Sequence, residues 1–395
     1  MSERLAIDGG TPVRDKMLPY GRQSVDQSDI DAVIEVLGSD FLTTGPKVRE
    51  FEEQFADYVG ADYAVAVSSG TAALHSAILA AGIGSGDEVI TSPMTFVASA
   101  NAVLYADGDV IFSDVEHDTL NIDPECVSRL VTEQTRVILP VDFGGHPADL
   151  KALREIADQH SLLLIEDASH SLGGRYQGDS VGGIADLTTF SLHPVKLMTT
   201  GEGGVVTTQS EKLAKKLRRI RNHGIATDFR QRAAESSWYY EMVELGFNFR
   251  ITDIQCALGL SQLEKLSKWL ERRRDIAQQY QEGLSRFDPL SLPSVREGCD
   301  SAWHLYVIQV DCDQLTADRG GLFKALRAEN IGVNVHYIPV PWHPYYRSLG
   351  FDPGSWPVAE AYYERALSLP MWPGMSDGDV QDVIRAVDKV LLAYS

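Results

Sequence analysis

The stretch Ala64-Val65-Ala66-Val67-Ser68-Ser69-Gly70-Thr71-Ala72-Ala73-Leu74 opens as an apolar run and closes as a small-residue helix reaching about Ala81. Four consecutive apolar residues bounded by a Ser-Ser-Gly turn suit a buried strand, and the alanines beyond suit a helix packed closely on it. Strand, glycine turn and helix in that order make one unit of an α/β fold. The pattern repeats outward in both directions. On the N-terminal side, the spacing predicts a helix capped by Ser28 with Ile30, Val33, Ile34 and Leu37 on its apolar face. A second amphipathic helix carries Phe51, Phe55 and Tyr58. On the C-terminal side, further strand-like runs are Glu88–Thr91, Val110–Ser113, Arg136–Val141, Leu162–Asp167, Leu187–Ser191 and Gly204–Thr208. Asp123-Pro124 starts a helix, since the carboxylate caps it and proline suits its first position. Seven strands alternating with helices predict a mainly parallel sheet.

At 395 residues the chain exceeds one core, which stops growing at roughly 250–300 residues. A long charged helix beginning near Leu258 leads out of the first lobe. Past it come a strand over His304–Val310, a helix over Leu322–Glu329, a strand over Ile331–Val335 and a helix near Asp377–Leu392. These make a smaller α+β lobe, and the division falls at 1–265 and 266–395.

Composition excludes several function classes. Fifty-six acidic against 35 basic residues leave a net charge of −21, which opposes nonspecific nucleic-acid binding and docking on anionic membranes. The N-terminal residues are mixed and polar, and no run reaches the ~18 apolar residues of a membrane span, so a cytoplasmic setting is expected. Cys126, Cys256, Cys299 and Cys312 are scattered without C-x-x-C spacing, so no metal site is expected.

Three segments carry chemistry. In Phe190-Ser191-Leu192-His193-Pro194-Val195-Lys196, a lysine follows a strand end and leads into a loop rich in glycine and hydroxyls. Such loops mount ligand groups, though a lone loop lysine also suits plain solvation. In Leu163-Leu164-Ile165-Glu166-Asp167-Ala168-Ser169-His170 an apolar strand ends in carboxylates. Asp167 there either caps the strand end or pairs with a protonated heteroaromatic nitrogen through a charge-assisted bond. Gly70 and Thr71, at a helix start, form an anion site by their free N–H groups and the helix dipole. Phe96, after another strand, is a core residue or a ring-stacking one. Together the segments specify an aromatic cation, a phosphate and a lysine able to form an imine. That combination is pyridoxal phosphate.

The order and spacing of SSGTAALH (68–75), TFVASANAVLY (95–105), NIDPE (121–125), EDASH (166–170), HPVKLMTTGEGG (193–204) and LGFNFRITDIQCALGLSQL (245–263) resemble the DegT-type sugar aminotransferases of fold-type I. The resemblance runs from about Leu18 to Leu392. It implies that Lys196 holds the cofactor covalently, Asp167 pairs with its ring nitrogen and Phe96 stacks on its ring. It also implies that Gly70, Thr71 and Ser191 hold the phosphate, with His170 near the phenolic oxygen. By the same resemblance Asn248 reaches the phosphate across a homodimer interface; a turn role is its plain alternative. LPYGRQ (18–23), SDFLTTGP (39–46), WYY (238–240) and VNVHYIPV (333–340) are similar to the branch that aminates C4 of a UDP-linked 4-keto-6-deoxy-L-sugar, with L-glutamate as donor, for pseudaminic acid. That similarity places Tyr20, Asp40, Phe41, Leu42, Thr43, His336, Tyr337, Ile338 and Pro339 on the nucleotide-sugar. Arg250 suits a diphosphate partner by its bidentate guanidinium, or equally a surface ion pair. One departure stands at Leu192, where relatives commonly carry phenylalanine. Three other readings stay open: a sister enzyme for another keto-sugar, a sugar dehydratase, and a non-catalytic scaffold. The dehydratases of this fold carry histidine at the lysine position, so Lys196 argues against them.

Overall fold

A computed structural model describes residues 4–227 and 236–395. The strands of the first lobe are β1 (Tyr63–Val67), β2 (Glu88–Thr91), β3 (Asp109–Phe112), β4 (Thr135–Leu139), β5 (Leu163–Asp167), the short β6 (Arg175–Tyr176) and β7 (Asp179–Ser180), β8 (Leu187–Ser191) and β9 (Gly204–Thr208). Seven of them form one sheet in the order β1-β9-β8-β5-β4-β2-β3. Only β9 runs against the others, pairing antiparallel with both β1 and β8. The remaining pairs are parallel, β5 with β8, β4 with β5, and β2 with β4 and β3. The sheet is therefore mainly parallel and seven-stranded, as the alternation predicts. Its strands are buried on both faces, which explains their continuous apolar runs.

Helix Asp253–Leu284 begins five residues before the expected start because Thr252 and Gln255 form a capping box. Its first half packs Cys256, Leu260, Leu263 and Leu266 with Phe51, Phe55 and Phe190. Its second half packs Ile276, Tyr280 and Leu284 into another core, with Ile308, Leu326, Val383 and Val387. One helix thus contributes to both cores. Buried Arg273, midway along it, donates to the carbonyls of Trp303 (3.0 Å) and Met371 (3.1 Å). Leu5 and Leu18 also join the second core. Glu329 anchors that N-terminal segment by accepting from the Ala6 and Val13 N–H groups at 2.8 and 2.9 Å. Lys389 offsets its buried charge at 2.9 Å.

Two local expectations change. Helix Gln27–Leu37 is capped by Asp26, whose side chain takes the N–H groups of Ser28 and Asp29, so Ser28 is not its cap. It docks through Val36 and Asp29, the latter bonded to Gln262 (2.8 Å) and Lys265 (2.7 Å). That polar anchor turns Ile30, Ile34 and Leu37, the expected buried face, out to solvent. The expected strand over Ile331–Val335 is only extended backbone, because its partners change along its length. Gly332 N–H donates to Leu18 O at 2.7 Å, whereas Asn334 bridges Ser368.

Candidate active site

The carboxyl ends of parallel strands, where a crevice opens in α/β sheets, carry the main candidates. Asp167 closes β5 and Ser191 closes β8, beside the start of helix Gly70–Ala81. Gly70 sits so close to Ser191 that a Cβ there would lie 2.7 Å from the serine Cβ. Ser69 caps the helix by accepting from Ala72 N–H at 3.1 Å, so the Gly70 and Thr71 N–H groups lie outside the helical ladder. This is an anion cradle of N–H groups and a hydroxyl at a helix N-terminus. Gly70→Ala is expected to weaken phosphate-group binding at least about 10-fold by forcing Ser191 aside. Titrating the cofactor into the apo protein checks it; unchanged affinity would mean the cradle is not used.

Asp167 is buried and fully oriented. Ser99 Oγ donates to its Oδ2 at 2.7 Å, and Ser169 Oγ donates to Oδ1 at 2.6 Å. Thr95 Oγ1 lies 2.8 Å from Ser99 Oγ and extends the chain of hydroxyls. Lys196 follows Ser191 by a short loop, its N–H bonded to His193 O at 2.9 Å. Burial lowers the Lys196 amine to about 8, against a smaller upward pull from the Asp167 charge. An amine so placed is partly neutral near neutral pH, as a nucleophile or base requires.

His170, also buried, lies beside them. Its Nε2 is 3.2 Å from Tyr337 Oη, and its ring lies 4.4 Å from the His304 ring. Its Nδ1 has no partner among the described residues. Burial, then the Lys196 charge, keeps His170 neutral, well below the ordinary histidine range. His336, bonded through Nδ1 to Ser368 Oγ at 2.7 Å, is lowered to about 4 by burial and Lys196. Tyr20 packs its ring 5.5 Å from His336, and Tyr337 lies 6.5 Å from Phe96, so these residues form one wall. Phe96 is 60% exposed, which overturns a core role and leaves a ring face open beside the cluster.

Other candidates are less closely gathered. Asp40, Phe41, Leu42 and Thr43 are exposed on a loop tied down at its far end, where Gly45 N–H donates to Asp253 at 2.7 Å. Ile338 is exposed and Pro339 is buried. Asn248 is exposed and pairs its backbone with Asn222. Arg250 bridges Val67, next to the phosphate-type cradle, and donates to Asn222 Oδ1 at 2.9 Å, and among the described residues it forms no ion pair. Leu192 is buried, its N–H bonded to Gly203 O at 2.9 Å. Ser99, Ser169 and His304 are functional neighbours that sequence reasoning passed over. Thr95 lies in the bend that leads into helix Ala98–Leu104, and this entry brings its hydroxyl back to Ser99.

The residues fit pyridoxal phosphate: a Cβ-free cradle, an open aromatic face, a carboxylate, a buried histidine atom lacking a partner, and a lysine of lowered basicity. Comparisons with known proteins agree. The family model of DegT/DnrJ/EryC1/StrS aminotransferases matches residues 23–388. The spore coat polysaccharide biosynthesis protein SpsC of Bacillus subtilis is 43% identical over 381 residues, 96% of this chain and 98% of that protein. The PLP form of Spr1654 from Streptococcus pneumoniae, described as a sugar aminotransferase, has a TM-score of 0.90 at 30% identity, covering 95% of this chain and 99% of that one. PseC of Helicobacter pylori, an aminotransferase of pseudaminic acid biosynthesis, has a TM-score of 0.89 at 31% identity, covering 96% of this chain and all of that one. The chain belongs to the DegT/DnrJ/EryC1/StrS family and is a pyridoxal-phosphate-dependent sugar aminotransferase.

Proposed function

We propose that the enzyme moves an amino group from L-glutamate to C4 of UDP-2-acetamido-2,6-dideoxy-β-L-arabino-hexos-4-ulose, in pseudaminic acid biosynthesis. The observation that carries the chemistry is the convergence of Lys196, oriented Asp167 and neutral His170 beside an anion cradle. The likeness to H. pylori PseC supports the sugar.

Bound pyridoxal phosphate supplies an electron sink for the donor's α-carbon and stores the amino group between half-reactions. Gly70, Thr71 and Ser191 hold its phosphate. Asp167, fixed by Ser99 and Ser169, holds a proton on the ring nitrogen by an ionic hydrogen bond. Phe96 would supply a stacking face, and His170, its Nδ1 without a partner among the described residues, would lie near the phenolic oxygen. Lys196 would anchor the cofactor covalently, and its neutral amine would take the proton from the glutamate α-carbon. Tyr20, His336 and Tyr337 form a wall for the sugar, with Ile338 and Pro339 beside it. Asp40 to Thr43 and Arg250 reach toward the nucleotide end.

The reading includes a homodimer with shared sites, in which Asn248 reaches the phosphate of a second copy. The exposed Ile30, Ile34 and Leu37, the exposed Phe41 and Leu42, and the exposed Trp238 and Leu245 support such an interface. Among the described residues no helix is long and apolar enough to cross a membrane.

A second reading keeps the reaction but changes the sugar to a differently configured 3- or 4-keto nucleotide-sugar. The 43% identity to the spore-coat protein, against 31% to PseC, favours it. Visible absorption tests both. Glutamate is expected to convert the bound cofactor to its amine form, and the cognate keto-sugar to restore the first band. Restoration by the L-arabino substrate alone supports the first reading. Restoration only by another keto-sugar sinks it in favour of the second.

A further inference from the structure

Directly behind Asp167 lie two carboxyls that the chemistry above does not use. Asp142 and Glu166 are both 0% exposed, and their side chains face one another. Asp142 Oδ1 accepts from Ala148 N–H at 2.8 Å, and its Oδ2 accepts from the Ser171 hydroxyl. Glu166 Oε2 accepts from Thr188 Oγ1 at 3.0 Å, whereas Glu166 Oε1 has no donor among the described residues. Two ionised carboxylates cannot share a dry site, because each disfavours the other's charge. A proton on Glu166 Oε1 resolves both difficulties, since the orphan atom becomes the donor to Asp142. Asp142 is the poorer place for that proton, as both of its oxygens already accept. The other groups facing the pair are Asp167 and, toward Asp142, Cys299, and among the described residues no cation is paired with either carboxyl. Burial pushes both carboxyls up.

The pair grips both ends of the segment that carries the chemistry. Glu166 precedes Asp167 on β5, and Ser171 follows His170. Asp142 N–H donates to Asp167 O at 3.1 Å. A second negative charge here would also repel the Asp167 carboxylate.

We propose that Glu166, protonated and donating to the Asp142 carboxylate, is a positioning residue that locks the 167–171 turn and keeps a single negative charge behind Asp167. The inference rests on the role proposed for Asp167, so its first test uses protein without cofactor. Infrared spectroscopy of the apo protein at neutral pH is expected to show the carbonyl stretch of a buried carboxylic acid. That band disappears in Glu166→Gln and persists in Asp167→Asn. A wild type without the band, or a Glu166→Gln variant that keeps it, overturns the proposal.

The second test titrates pyridoxal phosphate into the variants. Glu166→Gln retains an N–H donor to Asp142 and is expected to bind within about threefold of wild type, whereas Glu166→Leu, of like volume but no donor, binds at least about 10-fold more weakly. The pH at which the bound cofactor's absorption changes stays put in Glu166→Gln and moves in Glu166→Leu. Equal binding and an equal midpoint in both variants would defeat the positioning role. Failure of the wild type to bind cofactor would instead fail the proposed function, and the infrared arm separates the two.

Discussion

Lys196→Ala is expected to abolish turnover, lowering kcat by at least about 10⁴-fold, because one substitution removes both the covalent anchor and the base. The argument rests on where the amine sits. With its basicity lowered to about 8, half of it is neutral at pH 8, while an ordinary lysine at 10.5 is neutral to about one part in 300. The sign follows directly: cofactor capture by the apo wild type rises with pH and levels off above about 8. Lys196→Arg keeps a charge at every such pH and is expected to show neither capture nor turnover. The checks are steady-state turnover with glutamate and the visible band of the loaded protein. Turnover within about 100-fold of wild type would remove Lys196 from the mechanism, since positioned acid–base catalysis alone supplies that much.

Asp167→Asn carries the next largest loss. Breaking a buried charge pair by removing one partner costs about 3–5 kcal/mol, or roughly 10²–10⁴-fold in kcat. The geometry makes this a clean change. Ser99 and Ser169 each hold one carboxylate oxygen, and a hydroxyl can turn to accept from the new amide. The fold and the phosphate cradle should therefore survive, leaving cofactor affinity reduced but measurable. Circular dichroism, cofactor titration and single-turnover rates with glutamate separate those effects. A variant that reacts at the wild-type rate would mean that the ring nitrogen needs no carboxylate.

Much of the first lobe was legible in the chain. Runs such as Val65–Val67 and Leu163–Ile165 are apolar without alternation because helices cover both faces of the sheet, and all seven expected strands fall in it. The segments carrying Asp167, Ser191, Lys196 and Gly70 were legible for a related reason: the crevice is built from strand ends and helix starts, which local sequence marks. What failed was tertiary. The stripe of Ile30, Ile34 and Leu37 has a helical period, but Asp29 bonded to Gln262 and Lys265 decides which side docks. Segment Ile331–Val335 has strand composition, yet it divides its hydrogen bonds between Leu18 and Ser368. Phe96, as a lone aromatic, suits a core or a stacking role in the sequence, and only its exposure in the fold decides between them. His304 and Asp142 lie 134 and 25 residues from His170 and Asp167 in sequence. Such distances leave no local pattern to read.

The tie between the N-terminal segment and Glu329 has a consequence for biosynthesis. Leu5 and Leu18 belong to a core whose other members are translated more than 250 residues later, so the ribosome releases them without a place to go. At cellular elongation rates that interval is on the order of tens of seconds. Two apolar side chains wait exposed while the sheet of the first lobe can already assemble. A nascent chain stalled before Glu329 therefore leaves Leu5 and Leu18 unburied, a natural handle for a chaperone.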